Sequence, residues 1–303
     1  MKKNYIFNYF FTIYLILCRF CSILKFMKYN FSVTTASGDQ IDLDLYSSDP
    51  SELKPTVIIV HGFKGFKDWG FFPLTGEYFA ANGYHAVVFN FSHNGISPGN
   101  DIFNELEKFA ENNLSLEKRE LKEIIARVYS GEFCNLDGNL FIIGHSRGGG
   151  VTLLSSAGNS DITAVAVWAS VSYVDRYTAH QKKQVADQGY LEIPNSRTGQ
   201  LMRLNRSFFD DISANAAAGL SIEKALERIN FPVLAVHGEI DGTVPVKEAL
   251  EINRCSRHPG SEILIVPKAD HTFKMVHPAT EITNQFSQVL EKTQTFFRSN
   301  QRG

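Results

Sequence analysis

Residues 139–150, NLFIIGHSRGGG, decide the fold. A short apolar run, residues 140–143, passes straight into a serine walled in by glycines. Continuous apolar runs of this length suit strands buried on both faces of a parallel sheet. Gly144-His145-Ser146-Arg147-Gly148 then fits G-x-S-x-G, in which a sharp strand-to-helix turn exposes the serine hydroxyl. The flanking glycines let the turn close and let the following helix, expected from about Gly149, approach the sheet. Five residues also match by chance, and a turn serine without chemistry is the competing reading. The surrounding chain has to choose.

Runs of the same kind recur as TVIIVHG (56–62), HAVVFNF (85–91), AVAVWAS (164–170), VLAVHG (233–238) and EILIVP (262–267). Helical patterns lie between them. Leu121, Ile124, Ile125 and Val128 share one helix face, as do Ile282, Phe286, Val289, Leu290 and Phe297. Strand-helix alternation over this length predicts an α/β fold with a mostly parallel, doubly wound sheet. Ahead of it, two alternating stretches around Ser37-Gly38-Asp39 predict a β-hairpin. The interval from about residue 173 to 229 breaks the rhythm with a polar, aromatic-bearing segment. Its Pro194-Asn195-Ser196 is a turn signal, and an insertion of this size reads as a cap over the sheet.

A serine hydroxyl is a weak nucleophile and needs a base in reach, with a third group orienting that base. Both follow later strands. Asp241 lies in the loop beyond residues 233–237, and His271 in the loop beyond residues 262–266. The carboxyl ends of the strands in an open parallel sheet face one crevice, so the three can converge there. Acyl transfer also builds charge on a carbonyl oxygen, which backbone N–H groups must receive. The Arg147 amide, directly after the serine, is one candidate, and the Phe63 amide in HGFKGFKDWG is the other.

HGFKGFKD, GHSRGG, HGEIDGTVP and ADHTF together resemble the α/β-hydrolases of the group containing small serine esterases. That group includes cinnamoyl and feruloyl esterases, with dienelactone-hydrolase-like and serine aminopeptidase-like relatives. The resemblance covers roughly residues 29–298, cap included. It implies an α/β-hydrolase fold with Ser146 as nucleophile, His271 as general base then acid, and Asp241 as orienting carboxylate. The family's oxyanion donors fall on the backbone of Phe63 and Arg147. The chain departs from many lipases at His61-Gly62-Phe63, where they carry His-Gly-Gly-Gly, and this points away from lipase activity. The expected reaction is cleavage of a carboxylic ester through an acyl-serine, without a cofactor. An aminopeptidase or amidase, a thioesterase or acyltransferase, and a catalytically silent binding protein are the alternatives. A peptidase would want acidic side chains facing the pocket, for which Asp210 and Asp211 are candidates.

Several neighbours read as structural. Glu239 and Asp270 are rival acids, but Asp270 adjoins His271 and suits its own loop better. His277 is the rival base. His61, His85, His145 and His237 stand at strand ends or starts, where packing explains them. Trp69, Tyr190 and Arg197 could line a pocket, yet a packed or solvated role explains each as well.

Composition sets the remaining bounds. The 303 residues can bury a sizeable core. A hydrophobic fraction of 44%, a charged fraction of 20% and a formal net charge of −2 give no reason to expect a nucleic-acid partner. The expected partner is a small-molecule ester or peptide-like substrate. Cys18 and Cys21 form a C-x-x-C without a second ligand pair, and no metal site is expected. Residues 1–26 form an apolar leader with a basic start, and residues 27–300 form the hydrolase domain. The leader lacks a small-x-small cleavage site. The expected location is cytoplasmic if the chain starts at Met27, and membrane-anchored or exported if the leader is used.

Overall fold

The computed structural model describes residues 26–195 and 198–303. The chain opens with the antiparallel pair β1 (Met27–Thr34) and β2 (Gln40–Ser47), turning at Ser37-Gly38-Asp39. Next come β3 (Lys54–Val60), α1 (Phe71–Ala81), β4 (His85–Phe89), α2 (Leu106–Ala110) and α3 (Leu114–Tyr129). The central pair of the sheet is completed by β5 (Leu136–His145), followed by α4 (Arg147–Ser156) and β6 (Ile162–Trp168). The insertion holds α5 (Ala179–Gln188), β7 (Tyr190–Pro194), β8 (Leu201–Asn205), α6 (Arg206–Asn215) and α7 (Ile222–Leu226). The chain returns to the sheet with β9 (Val233–Gly238), α8 (Lys247–Cys255), β10 (Glu262–Val266) and α9 (Asn284–Ser299).

The main sheet runs β1-β2-β4-β3-β5-β6-β9-β10. Pairing is antiparallel from β1 to β4 and parallel from β4 onward. This is the α/β-hydrolase architecture that the alternation predicted, with β7 and β8 as a small antiparallel hairpin in the cap. Period-two alternation sorts the strand residues onto two faces. Ile58, Val87, Ile142 and Val165 enter one core, under α3, α4 and the cap. Val57, Val88, Phe141 and Ala166 enter the other, under α1 and α9. Because both faces are covered, these strands carry apolar residues at nearly every position.

Sheet order places the site. The chain runs from β3 to β4 on one side, then returns past β3 to β5 on the other. Two loops therefore part company at the carboxyl ends of adjacent strands and leave a crevice between them. Ile59 pairs with Ile143 and Val60 with Gly144, so the loops after β3 and β5 leave the sheet side by side.

Two expectations need adjustment, and a third holds. Ile282 is not on the face of the last helix: Thr283 caps that helix, its side chain accepting from the Phe286 N–H, and Ile282 stays exposed before it. The predicted turn at Pro194-Asn195-Ser196 does divide a hairpin, closed by the Asn195 N–H on the Gln200 carbonyl at 2.8 Å. Ser196 and Arg197 themselves lie outside the described residues. The membrane-anchored location is corrected: among the described residues no helix is long and apolar enough to cross a membrane. α3 and α9 are 16 residues long and each keeps a charged face, whereas a spanning helix needs about 20 apolar residues. Of residues 1–26, where that anchor was expected, all but Phe26 lie outside the described residues.

Candidate active site

β5 delivers Ser146 to the crevice on a turn with φ 57° and ψ −123°, a region that residues with a Cβ avoid. The turn is held by the Ser146 N–H on the Trp168 carbonyl at 2.8 Å and by the Gly149 N–H on the Ser146 carbonyl at 3.0 Å. Close approach explains the glycines. A Cβ on Gly148 would stand 2.2 Å from the His61 carbonyl oxygen, so α4 can start against the end of β3 only without one. A Cβ on Gly62 would stand 2.9 Å from that of Ser146, which puts the loop carrying Phe63 directly beside the serine.

The three residues separated by the sequence meet here. His271 Nε2 lies 3.0 Å from Ser146 Oγ, and its Nδ1 lies 2.8 Å from Asp241 Oδ2. In the neutral imidazole the serine hydroxyl donates to Nε2 while Nδ1–H donates to the carboxylate. Asp241 Oδ1 is fixed by the N–H groups of Thr243 at 2.8 Å and Val244 at 2.9 Å. Burial alone would push this carboxyl up. Hydrogen bonds from His237, His271 and Val244 outweigh that and hold it well below the usual carboxylate range, so it stays ionised. Neither the Phe63 nor the Arg147 amide has a hydrogen-bond partner among the described residues.

The rival groups are engaged elsewhere. Glu239 accepts from the Lys268 N–H at 2.9 Å, and Asp270 accepts from the N–H groups of Thr272 and Lys274. His277 accepts from the Gly70 N–H at 2.9 Å and stacks on Trp69. His61 and His145 are buried, and burial pushes their imidazoles down to about 4 and about 3. His145 donates through Nε2 to the His271 carbonyl at 2.9 Å and so supports the loop that carries His271. His85 bonds Ser47 Oγ and the Glu52 carbonyl, far from the crevice in the chain's fold.

Two groups escaped the sequence reading. His237 is more than a packed histidine, because its Nε2 lies 3.2 Å from Asp241 Oδ2 and 2.8 Å from the Val244 carbonyl. The signal was its position at the end of the strand that leads to Asp241. Glu117 is the other. It stands with Leu114, Leu121 and Ile124 on the buried side of α3, and a carboxylate in an apolar stripe calls for hydrogen-bond donors or a buried cation. That cation is Arg147, whose Nη2 lies 2.5 Å from Glu117 Oε1.

Above Ser146 opens a cavity of about 450 Å³. Phe63, Trp69, Phe72, Tyr177 and Phe208 supply aromatic walls, with Val151 and Leu154 from α4 between them. Its two arginines are neutralised: Arg147 by Glu117, and Arg176 by Glu248 at 2.6 Å. Asp211 accepts from the Ser115 N–H and hydroxyl, and Asp210 lines a separate depression, so neither faces this cavity. Tyr190 lies under the Arg203 guanidinium, outside the cavity walls. Away from the cavity, Asp39, His93 and Glu120 bring atoms able to ligate a metal within 4.8 Å of one another. Both Glu120 oxygens accept from Ser92 there.

Sheet order, the serine turn and the convergence at the strand ends define an α/β-hydrolase. Within that superfamily the chain belongs to the prolyl oligopeptidase family, whose model matches residues 119–298. Among the curated proteins none matches it significantly. Solved structures share the fold at low identity. Est1E from Butyrivibrio proteoclasticus is 16% identical, with a TM-score of 0.63 over 89% of this chain and 98% of its own. One Est1E structure holds ferulic acid. The α/β hydrolase GrgF from Penicillium sp. sh18 is 15% identical, with a TM-score of 0.69 over 90% of this chain and 98% of its own. Dienelactone hydrolase from Anabaena variabilis is 13% identical, with a TM-score of 0.58 over 91% and 99%. At the level of family and fold the protein is a hydrolase.

Proposed function

We propose that the protein cleaves a carboxylic ester through an acyl-Ser146 intermediate. The observation that carries this reading is the continuous hydrogen-bonded chain Ser146–His271–Asp241 at the floor of an aromatic-walled cavity. His271 Nε2 takes the hydroxyl proton as Oγ attacks the carbonyl carbon. Negative charge moves to the carbonyl oxygen, which the Phe63 and Arg147 amides receive. His271 returns the proton to the departing alcohol as the ester C–O bond breaks. Water then gives a proton to His271 and attacks the acyl carbon, releasing the acid and restoring Ser146. Asp241 keeps Nδ1 protonated throughout and stabilises the imidazolium that forms between steps.

Family membership favours a second reading, a peptidase, because the same groups can cleave an amide. The cavity supports the ester instead. A substrate with a free amino terminus needs an unpaired carboxylate, and Glu117 and Glu248 are already committed to arginines. Turnover of short-chain acyl esters, an aromatic-acyl ester and aminoacyl anilides, measured side by side, separates the two. Ester turnover is expected to exceed anilide turnover, and Ser146→Ala should lower kcat on the order of 10⁶-fold. Wild-type turnover by Ser146→Ala would end the serine mechanism. Anilide cleavage matching ester cleavage would make the protein a peptidase.

A further inference from the structure

We infer that Glu117 is a positioning residue that sets the spacing of the two oxyanion amides, acting through the Arg147 side chain. The inference rests on the acyl-serine reading above.

The two proposed donors, Phe63 and Arg147, come from different loops. Phe63 follows β3 and Arg147 begins α4, and no strand pairing extends to either residue. Their side chains nevertheless meet, with the Arg147 guanidinium 4.4 Å from the centre of the Phe63 ring. A cation over a ring face is held by the ring quadrupole and more firmly out of water, and Arg147 is 14% exposed. Glu117, at 3% exposure, holds the guanidinium through Nη2, and the same Oε1 accepts from Asn112 Nδ2 at 2.8 Å. Phe208 of α6 completes the enclosure at 5.8 Å. One planar group therefore ties α3, the loop after β3, the start of α4 and the cap.

Stability is a poor reason for such a pair. Desolvating both charges offsets most of their attraction, and apolar residues of equal volume fill a core as well or better. What a buried, bidirectionally fixed guanidinium supplies is geometry. The Phe63 ring is clamped against the first residue of α4, so the two amides keep a set separation for a tetrahedral oxygen, while the ground-state carbonyl gains less. Loss of the clamp should reach kcat with little change in KM.

The test uses the full chain and a fluorophosphonate, which needs no knowledge of the natural substrate. Ser146 Oγ forms a bond to phosphorus as fluoride leaves, and the phosphonyl oxygen takes the oxyanion position. Labelling of Ser146 in the wild type establishes the nucleophile independently of Glu117. Glu117→Gln should then slow labelling at least 10-fold, lower kcat on p-nitrophenyl butyrate by a similar factor, and leave KM within 3-fold. Phe63→Leu keeps the amide but removes the ring face, and should reproduce the effect; it also serves if Glu117→Gln does not fold. Labelling rates equal to wild type in the folded variants, with only the melting temperature lowered, would overturn the positioning role and leave the acyl-serine reading standing. Failure of wild-type Ser146 to label would overturn both.

Discussion

Ser146 occupies backbone space that costs a residue with a Cβ about 1–3 kcal/mol. The hydrogen bonds of its turn and the fit of Gly148 against β3 offset that cost. The turn brings Oγ within hydrogen-bond reach of His271, the arrangement that the proposed acyl-serine mechanism would use. Asp241 shows the complementary case. Its carboxylate lies in a nearly dry site yet stays ionised, because two histidines and two amides point at it. In the proposed mechanism Asp241→Asn would keep the shape but no longer hold the imidazole in the tautomer that accepts the serine proton. We expect kcat to fall about 10⁴-fold at neutral pH with KM little changed, read from steady-state ester hydrolysis.

Among the elements, α9 shows how the outer layer locks onto the sheet. Trp168, at the end of β6, is fully buried and donates its indole N–H to Thr293 Oγ1 at 3.0 Å. The same residue's carbonyl receives the Ser146 N–H, so one strand end serves both the helix layer and the serine turn. Thr293→Val preserves volume and removes the acceptor, leaving a buried donor unpaired. Urea unfolding should show a loss of about 1–3 kcal/mol, with ester turnover of the folded protein near wild type. This helix also marks the reach of pattern reading. Its apolar face from Phe286 to Phe297 is plain in the sequence, whereas its start is decided by a Thr283 side chain reaching a backbone N–H.

At the scale of the whole molecule, buried titratable groups predict the response to acid. His61 and His145 fold neutral, pushed down to about 4 and about 3 by burial, while in the unfolded chain each binds a proton below about 6.5. Between those values the unfolded state holds more protons, so each histidine lowers stability as pH falls. Glu120 works the other way. Burial raises it to about 7, so below that value the folded state holds a proton the unfolded chain binds only near 4.5. Two histidines against one glutamate leave these groups a net loss of stability as pH falls from roughly 6.5 to 4.5, and His85 and His93, also lowered by burial, add to it. Urea midpoints across that range test the sign: stability flat or rising toward pH 4.5 would contradict the neutral burial of these histidines.

The sequence by itself determined the strand runs, their alternation with helices, and the three residues at strand ends that could share a crevice. Those are local signals: apolar runs follow from burial on both faces, and glycines follow from close backbone approach. Tertiary structure alone decided which side chains meet across distance. Glu117 stands 30 positions before Arg147, and His237 reaches a carboxylate already held by His271; nothing in either stretch names its partner. The cap was legible as an interruption and illegible as structure, because its short elements are stabilised by what they cover. Packing chooses the partners of a buried charge, and packing exists only once the sheet has brought distant segments together.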